Sequence, residues 1–94
     1  MISKVRCVRV SDGTLSKEMD RVEAIRNFGV YHESGLDSDV SWSGWAYIDG
    51  GADTPVPMGP FGSEEEALVK SVEEANDRER LRHDAPMFRF ETVK

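Results

Sequence analysis

Gly59-Pro60-Phe61-Gly62-Ser63-Glu64-Glu65-Glu66-Ala67-Leu68 carries a loop into a capped helix. The Ser63 hydroxyl is placed to accept from the backbone N–H three residues on, and Glu66 to reach back to the N–H of Ser63, the reciprocal pairing of a capping box. Three carboxylates in the first turn suit the positive end of the helix dipole. Leu68, Val72 and Ala75 then make an apolar stripe flanked by Ala67 and Val69, which predicts a helix over 63–77. Leu81 falls on the opposite side, so the regular helix is expected to bend or end near Asn76-Asp77. Residues 63–77 hold six acids and one lysine, and Arg78, Arg80 and Arg82 follow.

Upstream, Val40 to Asp49 alternates, with Val40, Trp42, Gly44, Ala46 and Ile48 on one side and Ser41, Ser43, Trp45 and Tyr47 on the other. Gly50-Gly51-Ala52-Asp53 turns this strand into Thr54-Pro55-Val56-Pro57-Met58, where two prolines remove ladder donors and demand a sheet edge. Ile2 to Val10 reads as a strand with apolar groups on both faces, Val5 and Cys7 against Val8 and Val10, which places it centrally in a sheet. Asp12-Gly13 ends it. From there Leu15, Met19, Val22 and Ile25 keep helical spacing, with Asn27 and Gly29 as stop residues. A hairpin through Asp12-Gly13 into a further strand competes, because Val22, Ala24, Phe28 and Val30 share one parity. Phe28 to Glu33 reads as a short strand, Ser34 to Asp39 as a polar loop. Met87 to Val93 alternates again, with Phe88 and Phe90 on one face.

The order strand, helix, strands, helix, strand predicts an α+β fold in which two helices cover one face of an antiparallel sheet. The nearest architecture is ferredoxin-like (βαββαβ) or a close variant, with the other sheet face open. Ninety-four residues suit a single domain over 1–94. Twelve basic against 18 acidic residues give a net charge of -6, which argues against binding nucleic acid through general phosphate attraction and leaves a basic partner open. Cys7 is the one cysteine, so no internal disulfide forms. No apolar run suits a signal peptide or a membrane span, and the expected location is the cytoplasm.

Catalytic and metal chemistry find little support. Cys7, His32 and His83 lie on separate elements without paired ligand spacing. Asp37-Ser38-Asp39 with Glu33, or Asp49 with Asp53, offer hard oxygen ligands but match no calcium loop. Cys7 in a central strand reads as an inert core residue, and the two histidines define no acid–base pair. The expectation is a non-enzyme without cofactor or metal.

The run Val56-Pro57-Met58-Gly59-Pro60-Phe61-Gly62-Ser63-Glu64-Glu65-Glu66-Ala67 resembles the strand–GPF–helix element of sporulation-related repeat domains, which are ferredoxin-like and bind peptidoglycan. It also resembles an element of small phage and prophage proteins in which a Trp-containing hairpin comes first. About a fifth of the chain is covered. The first half lacks the matching strand motif of the repeat domains, and prolines interrupt the strand before Gly59.

The residues expected to meet a partner are Trp45 and Tyr47, as an aromatic contact on the open face, and Glu65, Glu66, Glu73, Glu74 and Asp77, as an acidic helix face that steers association. The function expected is a small acidic protein-binding module, in the phage context an inhibitor occupying a basic surface of a host nucleic-acid-binding or defence protein. A homodimer burying the open sheet face is the alternative, and a glycan-binding module comes third.

Overall fold

The computed structural model describes residues 1–36, 41–49 and 56–94. Lys4–Arg9 (β1) is the middle strand of a first antiparallel sheet, between Leu15–Asp20 (β2) and Phe88–Val93 (β6). Val5 stands opposite Met19 on one side and Thr92 on the other, and Cys7 opposite Lys17 and Phe90. Val5 is fully buried and Met19 nearly so, which puts this parity of the strands on the core side. The opposite parity carries Lys4, Arg6, Glu18, Arg89 and Glu91, joined by Lys4–Glu18 (2.6 Å), Arg6–Glu18 (3.4 Å) and Arg89–Glu91 ion pairs.

The first helix is not where the apolar spacing predicts it. Residues 15–20 form β2, a hairpin partner of β1, and the helix is Arg21–Asn27 (α1). The Asp12 carboxylate makes the hairpin turn by accepting from the Thr14 N–H at 3.0 Å and the Thr14 hydroxyl at 2.6 Å. Asp20 then divides strand from helix, since its side chain accepts from the Glu23 N–H at 2.8 Å as an N-cap. The helical period of Leu15, Met19, Val22 and Ile25 was therefore drawn from two elements. Met19 is buried, whereas Leu15 and Val22 are exposed. Phe28 caps the C-terminus of α1, and Gly29, at φ +69°, turns the chain left-handed before the next strand.

Val30–Leu36 (β3), Ser41–Asp49 (β4) and Val56–Phe61 (β5) make a second antiparallel sheet in the order β3-β4-β5. Pro57 and Pro60 sit in its edge strand, where a missing N–H interrupts no ladder on the solvent side. Gly59-Pro60-Phe61 ends this strand and is not a loop, and the Gly59–Pro60 peptide is cis. A Cβ on Gly59 would lie 2.7 Å from the Trp45 carbonyl oxygen, and one on Gly44 2.8 Å from the Pro60 Cβ. Side chains are thus excluded at both positions where β4 and β5 close on each other.

Glu64–Arg82 (α2) starts at the expected cap. Ser63 Oγ accepts from the Glu66 N–H at 3.1 Å, and Glu66 Oε2 accepts from the Gly62 N–H at 3.1 Å, so the return arm of the box reaches one residue further than its usual target. The helix does not end near Asn76-Asp77. Asn76 is held by the backbone of β6, and beyond it the helix runs off the core with Leu81 84% exposed. Its end rests on local pairs, Arg80–Asp77 at 3.0 Å and His83–Glu79 at 3.3 Å.

One hydrophobic cluster joins these parts: Ile2 and Val5 from the N-terminal strand region, Met19, Ala24, Val30, Tyr47, and Ala67, Leu68 and Val72 of α2. Two sheets meeting beneath one long helix replace the single ferredoxin-like sheet. The six strands follow the order ββαβββαβ, because an extra N-terminal hairpin strand pairs with β1 and the three middle strands pair only among themselves.

Candidate functional site

The β3–β4 hairpin projects from this core. Val30, paired with Tyr47, is its last core residue on β3, and the pairing continues to Leu36 opposite Ser41. Six further residues at about 3.3 Å each carry the hairpin about 20 Å outward. The molecule accordingly measures 49 × 29 × 16 Å, with a radius of gyration of 14.4 Å where a compact chain of this length has about 12 Å.

An aromatic ladder lines the root of the hairpin. Tyr47 stacks on Phe61 with ring centroids 5.8 Å apart. Trp45 stands opposite both Phe61 on β5 and His32 on β3, and meets the His32 ring edge-on at 5.2 Å. Burial falls along the row: Tyr47 is in the core, Phe61 and Trp45 are partly buried, and His32 is exposed. Tyr47 therefore corrects the expected contact surface. Its parity faces α2 rather than the open side, it is only 6% exposed, and Trp45 alone of the expected pair reaches the surface. The side chain of Trp42 lies outside the described residues.

The expected acidic face divides in the same way. Glu66, Glu73 and Asp77 are exposed and lie along one ridge of α2 with Lys70 and Arg80, opposite the buried Ala67, Leu68, Ser71 and Val72. Lys70 pairs with Glu73 at 3.6 Å and Arg80 with Asp77 at 3.0 Å. Glu65 instead ties down the N-terminus, accepting from the Ile2 N–H at 2.8 Å beside the terminal ammonium at 3.7 Å. Glu74 turns inward. Arg78 Nη2 donates to Glu74 Oε1 at 3.0 Å and lies 3.5 Å from Asp49 Oδ1, while the Tyr47 hydroxyl bonds Glu74. Burial and the Asp49 carboxylate raise the Glu74 carboxyl above its ordinary range. Burial, then Glu74, push the Tyr47 phenol up to about 12.

Beside this network lies a cleft of about 450 Å³, with Phe28, Ile48, Ala75 and Phe90 on its apolar walls and Glu74 and Arg78 at its polar end. Phe28 and Phe90 meet edge-to-face at 5.1 Å. Sequence reasoning missed this cleft and its polar end, because Asp49, Glu74 and Arg78 come together only when α2 lies across the end of β4. The i,i+4 spacing of Glu74 and Arg78 was the one signal available.

Cys7 is half-buried and burial pushes its thiol up, which disfavours the nucleophilic thiolate. Among the described residues no group of three or more His, Cys, Asp or Glu is placed to hold a metal ion. The proposed oxygen ligands Asp37, Asp39 and Asp53 lie outside the described residues. No described helix is long and apolar enough to cross a membrane. No protein-family model matches the chain, and no curated protein or solved structure matches it.

Proposed function

We propose that the protein is a non-catalytic module that docks on a basic surface of another protein. The observation that carries this reading is the position of Trp45, a partly buried tryptophan at the root of a projecting hairpin, edge-on to an exposed histidine. Tryptophans in such half-desolvated settings supply much of the energy at protein interfaces. The acids begin close by, since α2 starts three residues after Phe61, the strand partner of Trp45.

Charge supports the same partner. Nine of the twelve lysines and arginines are held in ion pairs with the chain's own carboxylates, so the net charge of -6 leaves a surface whose uncompensated groups are acidic. Glu66, Glu73 and Asp77 are the acids that a partner reaches along α2. The phage-type resemblance of the Gly59–Ala67 element favours an inhibitor that covers a basic, nucleic-acid-binding surface of a host protein. A homodimer through the open face of the first sheet is disfavoured by the ion pairs laid across that face, which lose solvation on burial.

The test is affinity capture on the immobilised protein, comparing the wild type with Trp45→Ala and with Glu66→Lys/Glu73→Lys/Asp77→Lys. A protein retained by the wild type and lost from both variants supports the reading. An identical set of captured proteins on all three removes it.

A further inference from the structure

We infer that Asp49 and Glu74 form a proton-sharing pair, a pH-sensitive latch that fastens the middle of α2 to the end of β4. The geometry comes first. Glu74 Oε1 and Asp49 Oδ1 lie 3.0 and 3.5 Å from the same atom, Nη2 of Arg78, so two carboxyl groups converge on a single guanidinium nitrogen. Their side chains are only 26% and 29% exposed, and one wall beside them is the cleft built from Phe28, Ile48, Ala75 and Phe90.

The groups that act on Glu74 are few. Asp49 and the Tyr47 hydroxyl face it from β4, and Arg78 from its own helix. The other residues of α1, β4 and β6 that line the adjoining cleft, among them Asn27, Phe28, Ile48 and Phe90, carry no charge. Two carboxylates against one guanidinium leave an excess negative charge in a half-desolvated place, and one proton held between them removes it. The hydrogen bond between Glu74 and Asp49 is the contact such a proton makes, and it acts with burial to hold the Glu74 carboxyl protonated beyond the ordinary range.

The sense of the latch follows. A carboxyl whose folded-state pKa is raised stabilises the fold below its unfolded value and loses that contribution as pH rises through the folded value. The contact between α2 and β4 is therefore tightest in acid. It loosens once both carboxyl groups are charged, and the polar end of the cleft then gains a negative charge.

The decisive measurement is the side-chain carboxyl 13C shift of Glu74, followed from pH 3 to 8 in the wild type and in Asp49→Asn. The latch predicts a wild-type midpoint above the ordinary 4.5 and a lower midpoint in Asp49→Asn. A wild-type midpoint at or below 4.5, or one that Asp49→Asn leaves in place, overturns it. Should Asp49→Asn fail to fold, urea unfolding of Glu74→Gln decides. The stability of that variant relative to the wild type must rise with pH across the titration, and a difference that stays constant with pH refutes the latch.

Discussion

Asn76, in the interior of α2, donates to the Phe90 carbonyl at 3.0 Å and accepts from the Phe90 N–H at 2.8 Å. A single carboxamide thus offers β6 the donor and acceptor that a neighbouring strand would offer. It does so at an edge of the first sheet, since β6 has a strand partner only in β1. The same pair of bonds explains why α2 tolerates an asparagine, a modest helix former, at its centre.

Replacing Asn76 should accordingly be expensive for a half-exposed position. Asn76→Ala removes both partners of Phe90 and is expected to cost about 1–3 kcal/mol. Asn76→Asp keeps the acceptor but sets a carboxylate against the Phe90 carbonyl, so it should be no better at neutral pH. Urea midpoints check both, and an unchanged midpoint for Asn76→Ala would show that water replaces the bonds without loss.

Two leucines of one helix separate core from overhang. Leu68 is 0% and Leu81 84% exposed. Leu68→Ala is expected to cost about 2–5 kcal/mol, the range for a buried leucine, and Leu81→Ala to stay within about 0.5 kcal/mol. Thermal or urea unfolding of the pair provides the comparison. Comparable losses for both would mean that the end of α2 packs against something.

Tyr47 should titrate late. Its phenol is pushed from 10.0 up to about 12, first by burial and then by the charge and hydrogen bond of Glu74. The folded state favours the neutral phenol, so its contribution to stability is complete below about pH 10 and is lost as pH rises towards 12. Ultraviolet difference titration should show one tyrosinate forming only at the upper end of that window, and that component should be missing from Tyr47→Phe.

Much of this was legible where the chain states its own rules locally. Ser63 and Glu66 announced the start of α2, and the alternation around Trp45 and Tyr47 announced β4. The proline pair at Pro57 and Pro60 marked an edge strand. Residues 15–25 misled because an apolar period does not reveal that Asp20 caps a helix in its middle. Asn76 misled for the opposite reason: its role depends on Phe90, fourteen residues away and on another element. Which face of β4 lies beneath α2 is likewise a property of packing, and it decided that Tyr47 is core while Trp45 is surface. The cleft beside Glu74 and Arg78 is a product of three elements, and no local pattern encodes it.

The docking account is tested most directly by the association and dissociation rates of the captured partner, measured at low and high salt. Exposed charges set encounter rates and are screened over about 10 Å at 0.1 M salt, whereas buried aromatic contacts set the lifetime of a complex. Glu66→Lys/Glu73→Lys/Asp77→Lys should slow association at low salt and converge on the wild type at high salt, with dissociation little changed. Trp45→Ala should leave association near the wild-type rate and speed release. Rates that neither substitution moves, at either salt concentration, would contradict the claim that Trp45 and the α2 ridge form the docking surface.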